Sequence, residues 1–99
     1  MNFRFHRAAV AEHIDQVAFY ESRLPGLGAD YLYEFEKAMM QVCATPERYP
    51  RIADPDIRKI GLRRFPFHVI YRVVHGQVVV LAVGHQRRRP TYWAGRIGE

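Results

Sequence analysis

The spacing of apolar and polar positions changes character midway along the chain. Over residues 7–23, Val10, Ile14, Val17 and Leu24 recur at helical spacing with Ala18 beside them, and they predict a helix buried along that stripe. Pro25-Gly26-Leu27-Gly28 reads as a tight connection. A second helix is predicted from about Asp30 to Ala44, with Leu32, Phe35, Met39 and Val42 on one face and Pro46 stopping it. So short a link predicts that the two helices pack as an antiparallel hairpin.

Strand-like patterns flank this hairpin. Phe3 to Phe5 alternates and reads as a short strand, whereas the stretch from Thr45-Pro46 to Pro55 reads as a break. In residues 58–62, Ile60 and Leu62 share a face. Residues 67–74 are rich in β-branched and aromatic side chains. Residues 78–83 form an almost continuous apolar run, which predicts a central strand covered on both faces. His75-Gly76-Gln77 supplies a hairpin turn. The order strand, helix, helix, then three strands predicts an α+β fold with a helical hairpin laid over one face of a small, mainly antiparallel sheet.

Composition narrows the picture. A chain of 99 residues is enough for one domain, residues 1–99, and 48% hydrophobic with 25% charged residues suits a packed core better than a disordered segment. Cys43 is the single cysteine, which excludes an internal disulfide and a cysteine metal site. The five histidines lack the spacing of a metal site, so neither metal nor cofactor is expected. Met1 to Arg7 lacks the apolar run of a signal peptide, and no stretch of about 20 apolar residues could span a membrane. The expectation is a cytoplasmic protein that does not act on membranes.

The net charge of +5 is unevenly placed. Residues 1–50 hold five Lys/Arg against seven Asp/Glu, and residues 51–99 hold ten against three, giving −2 and +7. The basic half favours an anionic partner: nucleic acid, a ribosome or an acidic protein.

The densest chemical signal is Gly84-His85-Gln86-Arg87-Arg88-Arg89-Pro90-Thr91-Tyr92-Trp93. Arginine forks match phosphate oxygens, and aromatic rings stack on unpaired bases. Tyr92 and Trp93 would either serve such stacking or pack back on the sheet. A second basic group comprises Arg58, Lys59, Arg63 and Arg64, with Arg72 in the next strand. His68 and His85 lie in the strands flanking the turn. A two-residue loop at Gly76-Gln77 would put them on one face, and a three-residue loop on opposite faces. RNA cleavage without metal needs a proton acceptor, a proton donor and cations around the phosphate. His68, His85 and Tyr92 could carry protons, and Arg63, Arg87 and Arg88 could stabilise phosphate. The acidic residues of this half, Asp54 and Asp56 in the proline-bounded stretch and Glu99, are poorly placed for a two-carboxylate or metal-dependent scheme.

Three segments together resemble the RelE/ParE toxin superfamily of type II toxin–antitoxin systems, the plasmid stabilisation family. They are Tyr20-Glu21-Ser22-Arg23-Leu24-Pro25-Gly26-Leu27-Gly28, Phe65-Pro66-Phe67-His68-Val69-Ile70-Tyr71-Arg72, and Ala82-Val83-Gly84-His85 with Arg88-Arg89-Pro90 and Tyr92-Trp93. The resemblance spans nearly the whole chain. It implies a helical hairpin on a small sheet and a cognate acidic antitoxin whose C-terminal segment wraps the toxin. Two mechanisms divide the superfamily. ParE-like members inhibit DNA gyrase, whereas RelE-like members cleave messenger RNA on the ribosome.

Against the RelE pattern, Lys59, Arg63, Arg88 and Tyr92 match functional positions. Gly61 stands where that branch has a lysine, His68 where it has an arginine, and Gln86 where it has a catalytic arginine. Phe65-Pro66-Phe67 resembles the ParE side. The expectation is therefore a ParE-like toxin acting on gyrase. The alternatives are a RelE-like ribonuclease and a degenerate toxin that only binds. If the chain is a ribonuclease, the expected catalytic residues are His85, Arg88 and Tyr92. The expected RNA- or target-binding residues are Lys59, Arg63, His68, Arg72, Arg87, Arg89 and Trp93.

Overall fold

The computed structural model describes residues 1–98; Glu99 lies outside the described residues. The elements are β1 (Phe3–Phe5), α1 (Arg7–Arg23), α2 (Leu27–Ala44), a 3₁₀ turn (Pro46–Arg48), β2 (Arg51–Ala53), β3 (Ile57–Gly61), β4 (Phe67–Val74), β5 (Gln77–His85) and a second 3₁₀ turn (Ala94–Arg96). The five strands form one mixed sheet in the order β1-β5-β4-β3-β2. β1 runs parallel to β5, and the other neighbours are antiparallel. This is the α+β arrangement the sequence predicts, with one strand more. β2 lies inside the stretch read as a break, where it pairs with β3 through Arg51 opposite Arg58 and Ala53 opposite Ile57.

The first helix is turned relative to its expected stripe. Val10, Ile14 and Leu24 are exposed, at 38, 60 and 59%. Ala9 is buried instead, and His13, Val17 and Tyr20 are partly buried on the inner side. The gain comes from aromatic packing. His13 sits 4.3 Å from the Phe35 ring, 5.2 Å from Phe5 and 6.1 Å from Tyr31. Tyr20 stacks on Tyr31 and meets Phe65 edge-on. Rings bury more apolar area than Val or Ile, so the face carrying His13 and Tyr20 turns inward.

α2 starts at Leu27, three residues before the expected Asp30. The cause lies in α1. The Glu21 carboxylate accepts the Gly26 and Gly28 backbone N–H groups at 3.0 Å, giving the second helix the acceptor that its own N-cap lacks. The helices also cross closely here. A Cβ on Gly28 would lie 2.8 Å from the Val17 carbonyl oxygen. Phe35, Met39 and Val42 are buried as expected, with Leu32 half-buried.

The sheet packs on both faces. Towards the helices, Val69, Tyr71, Val78, Val80 and Val83 join Tyr31, Phe35, Met39 and Val42. On the outer face, Ile57, Ile70, Val79, Leu81 and Ala82 join Trp93, with Ile97 against them. β5 is buried from Val78 to Gly84, as its apolar run predicts. Each fully buried large side chain contributes roughly 1.5–3 kcal/mol of transfer free energy. Among the described residues, no helix is long and apolar enough to cross a membrane.

Candidate functional site

The β4–β5 register decides where the histidines go. His75 and Gly76 form a two-residue turn with positive φ at both positions, and Val74 pairs with Gln77. Further along, Ile70 pairs with Ala82 but Tyr71 with Val80, so Leu81 is an extra residue in β5. This bulge flips the alternation beyond it. Leu81 and Ala82 both join the outer cluster, and Val83 turns towards the helices. Phe67 then faces His85, and His68 faces Gly84. The two histidines therefore lie on opposite faces. The route is a turn one position earlier than expected plus a bulge, rather than a three-residue loop.

His68 shares the outer face with Lys59 and Gly61, and its ring lies 3.6 Å from where a Gly61 Cβ would be. Burial pushes its pKa down, and the nearby Lys59 charge adds to that. His85 lies at the sheet end. Its ring meets Phe67 edge-on at 5.4 Å, and its Nδ1 accepts the Arg87 N–H at 3.0 Å.

Beyond β5 the chain doubles back over the outer face and closes a cavity of about 240 Å³. Lys59, His68, His85, Arg88, Arg89 and Tyr92 line it. Tyr92 lies over Gly84, where any side chain would collide with its hydroxyl. The Arg88 guanidinium sits 4.0 Å from the Tyr92 ring centroid, and that of Arg96 lies 5.5 Å from it. Burial pushes the Tyr92 phenol up, and Glu12 adds to this; Arg88 and Arg96 oppose it.

The remaining expected residues are distributed elsewhere. Arg63 and Arg87 are exposed and outside the cavity wall. Arg72 lies under the C-terminal segment and donates to the Ile97 carbonyl at 3.2 Å. Trp93 is only 5% exposed; it packs back on the sheet instead of offering a face for stacking. Several cations outside this set are neutralised. Arg51 and Arg58 pair with Asp56, and Arg64 with Asp30. Among the described residues, Lys59, Arg63, Arg87 and Arg89 form no ion pair, and no group of three or more His, Cys, Asp or Glu is placed to hold a metal.

Two residues missed in the sequence organise this region. Glu12 of α1 accepts the Val83 N–H at 3.0 Å and both Arg96 Nη groups at 2.9 and 3.0 Å. Arg96 also donates to the Leu81 carbonyl at 2.9 Å. The signal for Glu12 was its place between Ala9 and Gln16 on the face that turns inward; the misread stripe hid it.

Comparison with solved structures places this architecture among RelE/ParE-like folds. The chain is similar to the chromosomal ParDE TA system from P. aeruginosa, with a TM-score of 0.73 and 18% identity over 86% of this chain and 95% of that one. It is also similar to the isolated E. coli RelE toxin, with a TM-score of 0.66 and 23% identity over 95% and 93%. Residues 3–90 match the family described as ParE toxin of type II toxin-antitoxin system, parDE, and the chain belongs to that family. Tyr92, Trp93 and Arg96 lie beyond the matched residues. No curated protein sequence matches the chain.

Proposed function

We propose that this ParE-family toxin arrests growth by binding DNA gyrase and is neutralised by a cognate acidic antitoxin. The observation that carries this reading is the state of Tyr92. Its hydroxyl lies against Gly84, two guanidinium groups lie near its ring, at 4.0 and 5.5 Å from the centroid, and burial disfavours its deprotonation. A tyrosine so placed serves poorly as a proton acceptor, and the neutral Gln86 follows where a nuclease would gain from another cation. The exposed basic residues Arg63, Arg87 and Arg89 remain available to an acidic surface. An antitoxin segment has apolar anchors in the exposed Ile14, Phe19 and Leu24 of α1 with its connection, and in Tyr33 and Met40 of α2.

The deciding test is DNA supercoiling by purified gyrase with increasing amounts of the folded protein. Inhibition that the antitoxin reverses is expected; unimpaired supercoiling at excess toxin rejects the gyrase reading. A second reading has its own support, because one cavity collects Lys59, His68, Arg88, Arg89 and Tyr92, with His85 at its edge. It calls for ribosome-dependent cuts in a defined messenger, read by primer extension and abolished by Tyr92→Phe or Arg88→Ala. Cuts undiminished in both variants remove those residues from the chemistry. A chain inactive in both assays that still binds antitoxin is a degenerate toxin.

A further inference from the structure

β1 ends at Phe5 and pairs with β5 only as far as Val80. Past that point the edge of β5 has no strand beside it among the described residues, and its backbone groups need other partners. Two side chains distant in sequence supply them. Glu12 takes the Val83 N–H, and Arg96 gives to the Leu81 carbonyl. The two side chains also bind each other through both oxygens and both terminal nitrogens, and both are largely buried, at 16 and 17% exposure. The same carboxylate lies 3.8 Å from Arg88.

We propose that Glu12 is the positioning residue of the outer-face cavity. From α1 it reaches the open edge of β5, anchors the C-terminal segment through Arg96, and aligns Arg88 on Tyr92. The Arg88 guanidinium and the Tyr92 ring are therefore set by the helical hairpin, not only by the strand that precedes them. A planar fork on a carboxylate resists sliding, which a single contact would permit. Tyr92 then has one place to lie, above Gly84, and Trp93 is carried onto the outer cluster next to it. The functional consequence of this arrangement rests on the gyrase-binding reading above.

The test is Glu12→Gln, which retains an oxygen for the Val83 N–H but removes the charge from Arg96. Ring-current displacement of the Arg88 side-chain NMR signals reports the Tyr92 stack, and acrylamide quenching of Trp93, the single tryptophan, reports the cover. Loss of the Arg88 displacement and quenching faster by on the order of tenfold are expected, because charge-assisted bonds are the strong ones. Amide protection at Val80, in the part of β5 that β1 covers, should persist. An unchanged Arg88 signal and unchanged quenching in the folded variant overturn the proposal. If Glu12→Gln does not fold, Arg96→Met breaks the same bridge from the other end, with the same two outcomes, and Arg96→Lys should restore part of both signals. The supercoiling assay separates this idea from the one beneath it. A wild-type chain that leaves gyrase untouched removes the target reading while the NMR result stands. A loosened variant that loses inhibition supports both.

Discussion

The helix side of the sheet and its outer side are closed by different means. On the helix side two long helices bring Tyr31, Phe35, Met39 and Val42 down on β4 and β5, and the rings of Phe5, His13, Tyr20, Phe65 and Phe67 gather around them. On the outer side one returning segment places Trp93 and Ile97 on Ile57, Ile70, Val79 and Leu81, and an ion pair tethers its end. The first closure is wide and woven from several elements, and such cores are expected to open at close to the global free energy. The second depends on a few anchors, and segments of that kind open locally at a fraction of the global free energy. The candidate cavity sits under the side that can open.

Large-to-small substitution separates the two most strongly. Phe35→Ala should cost about 4 kcal/mol of global stability in chemical denaturation, because the hairpin and sheet cannot both relax into the space. Trp93→Ala should cost about 3 kcal/mol, with exchange protection lost first in the outer-face segment and retained around Phe35. Equal loss of protection everywhere in the Trp93 variant would break the comparison. Gly84→Ala is smaller in chemistry but sharper in place. Its methyl group collides with the Tyr92 hydroxyl, so the ring must lift. A cost of about 1–3 kcal/mol is expected, with a red shift in Trp93 emission; an unshifted emission would show that the ring has another resting place.

The smallest effect distinguishes the helix side by acidity. His13 has a buried Nδ1 without a hydrogen-bond partner among the described residues, and burial lowers its pKa from 6.5, with the Glu36 charge partly opposing this. The unfolded chain then binds the proton more readily than the folded one. Its contribution is present above about pH 6.5 and is lost as pH falls through the lowered folded value. His68 is lowered in the same direction on the outer side. Melting temperature followed from pH 7.5 to 5 should fall less in His13→Phe than in the parent. Parallel curves for the two proteins would place the acid sensitivity elsewhere.

How much of this was legible in the sequence varied with how much contrast each segment carries. The stripe of α2 was readable because Phe35, Met39 and Val42 stand out from polar neighbours. α1 mixes small apolar residues with His13 and Tyr20, and the larger rings decide which side is buried. Its helical span was therefore clear and its rotation was not. β2 escaped because three residues, Arg51-Ile52-Ala53, are too few for an alternation. The relation of His68 to His85 was beyond reach, since Val78 to Val83 is apolar at every position and hides a bulge. Lys59, His68, Arg88, Arg89 and Tyr92 of the candidate site share the outer-face cavity, because Lys59 and His68 lie on neighbouring strands and the segment after β5 returns over them, whereas the His85 ring turns to Phe67 on the other face. The partnership that orders them, Glu12 with Arg96, joins residues 84 positions apart and leaves no local mark.

The parallel pairing of Phe3–Phe5 with Val78–Val80 has a consequence for how the chain is made. β1 hydrogen-bonds to β5, a strand more than seventy positions further along the chain. The sheet cannot be completed until β5 has been made and has left the exit tunnel. Until then Phe3 and Phe5 have no strand to join and the edge that Glu12 covers does not exist. A chain arranged this way acquires the shape of its sheet only after two segments far apart in synthesis have met.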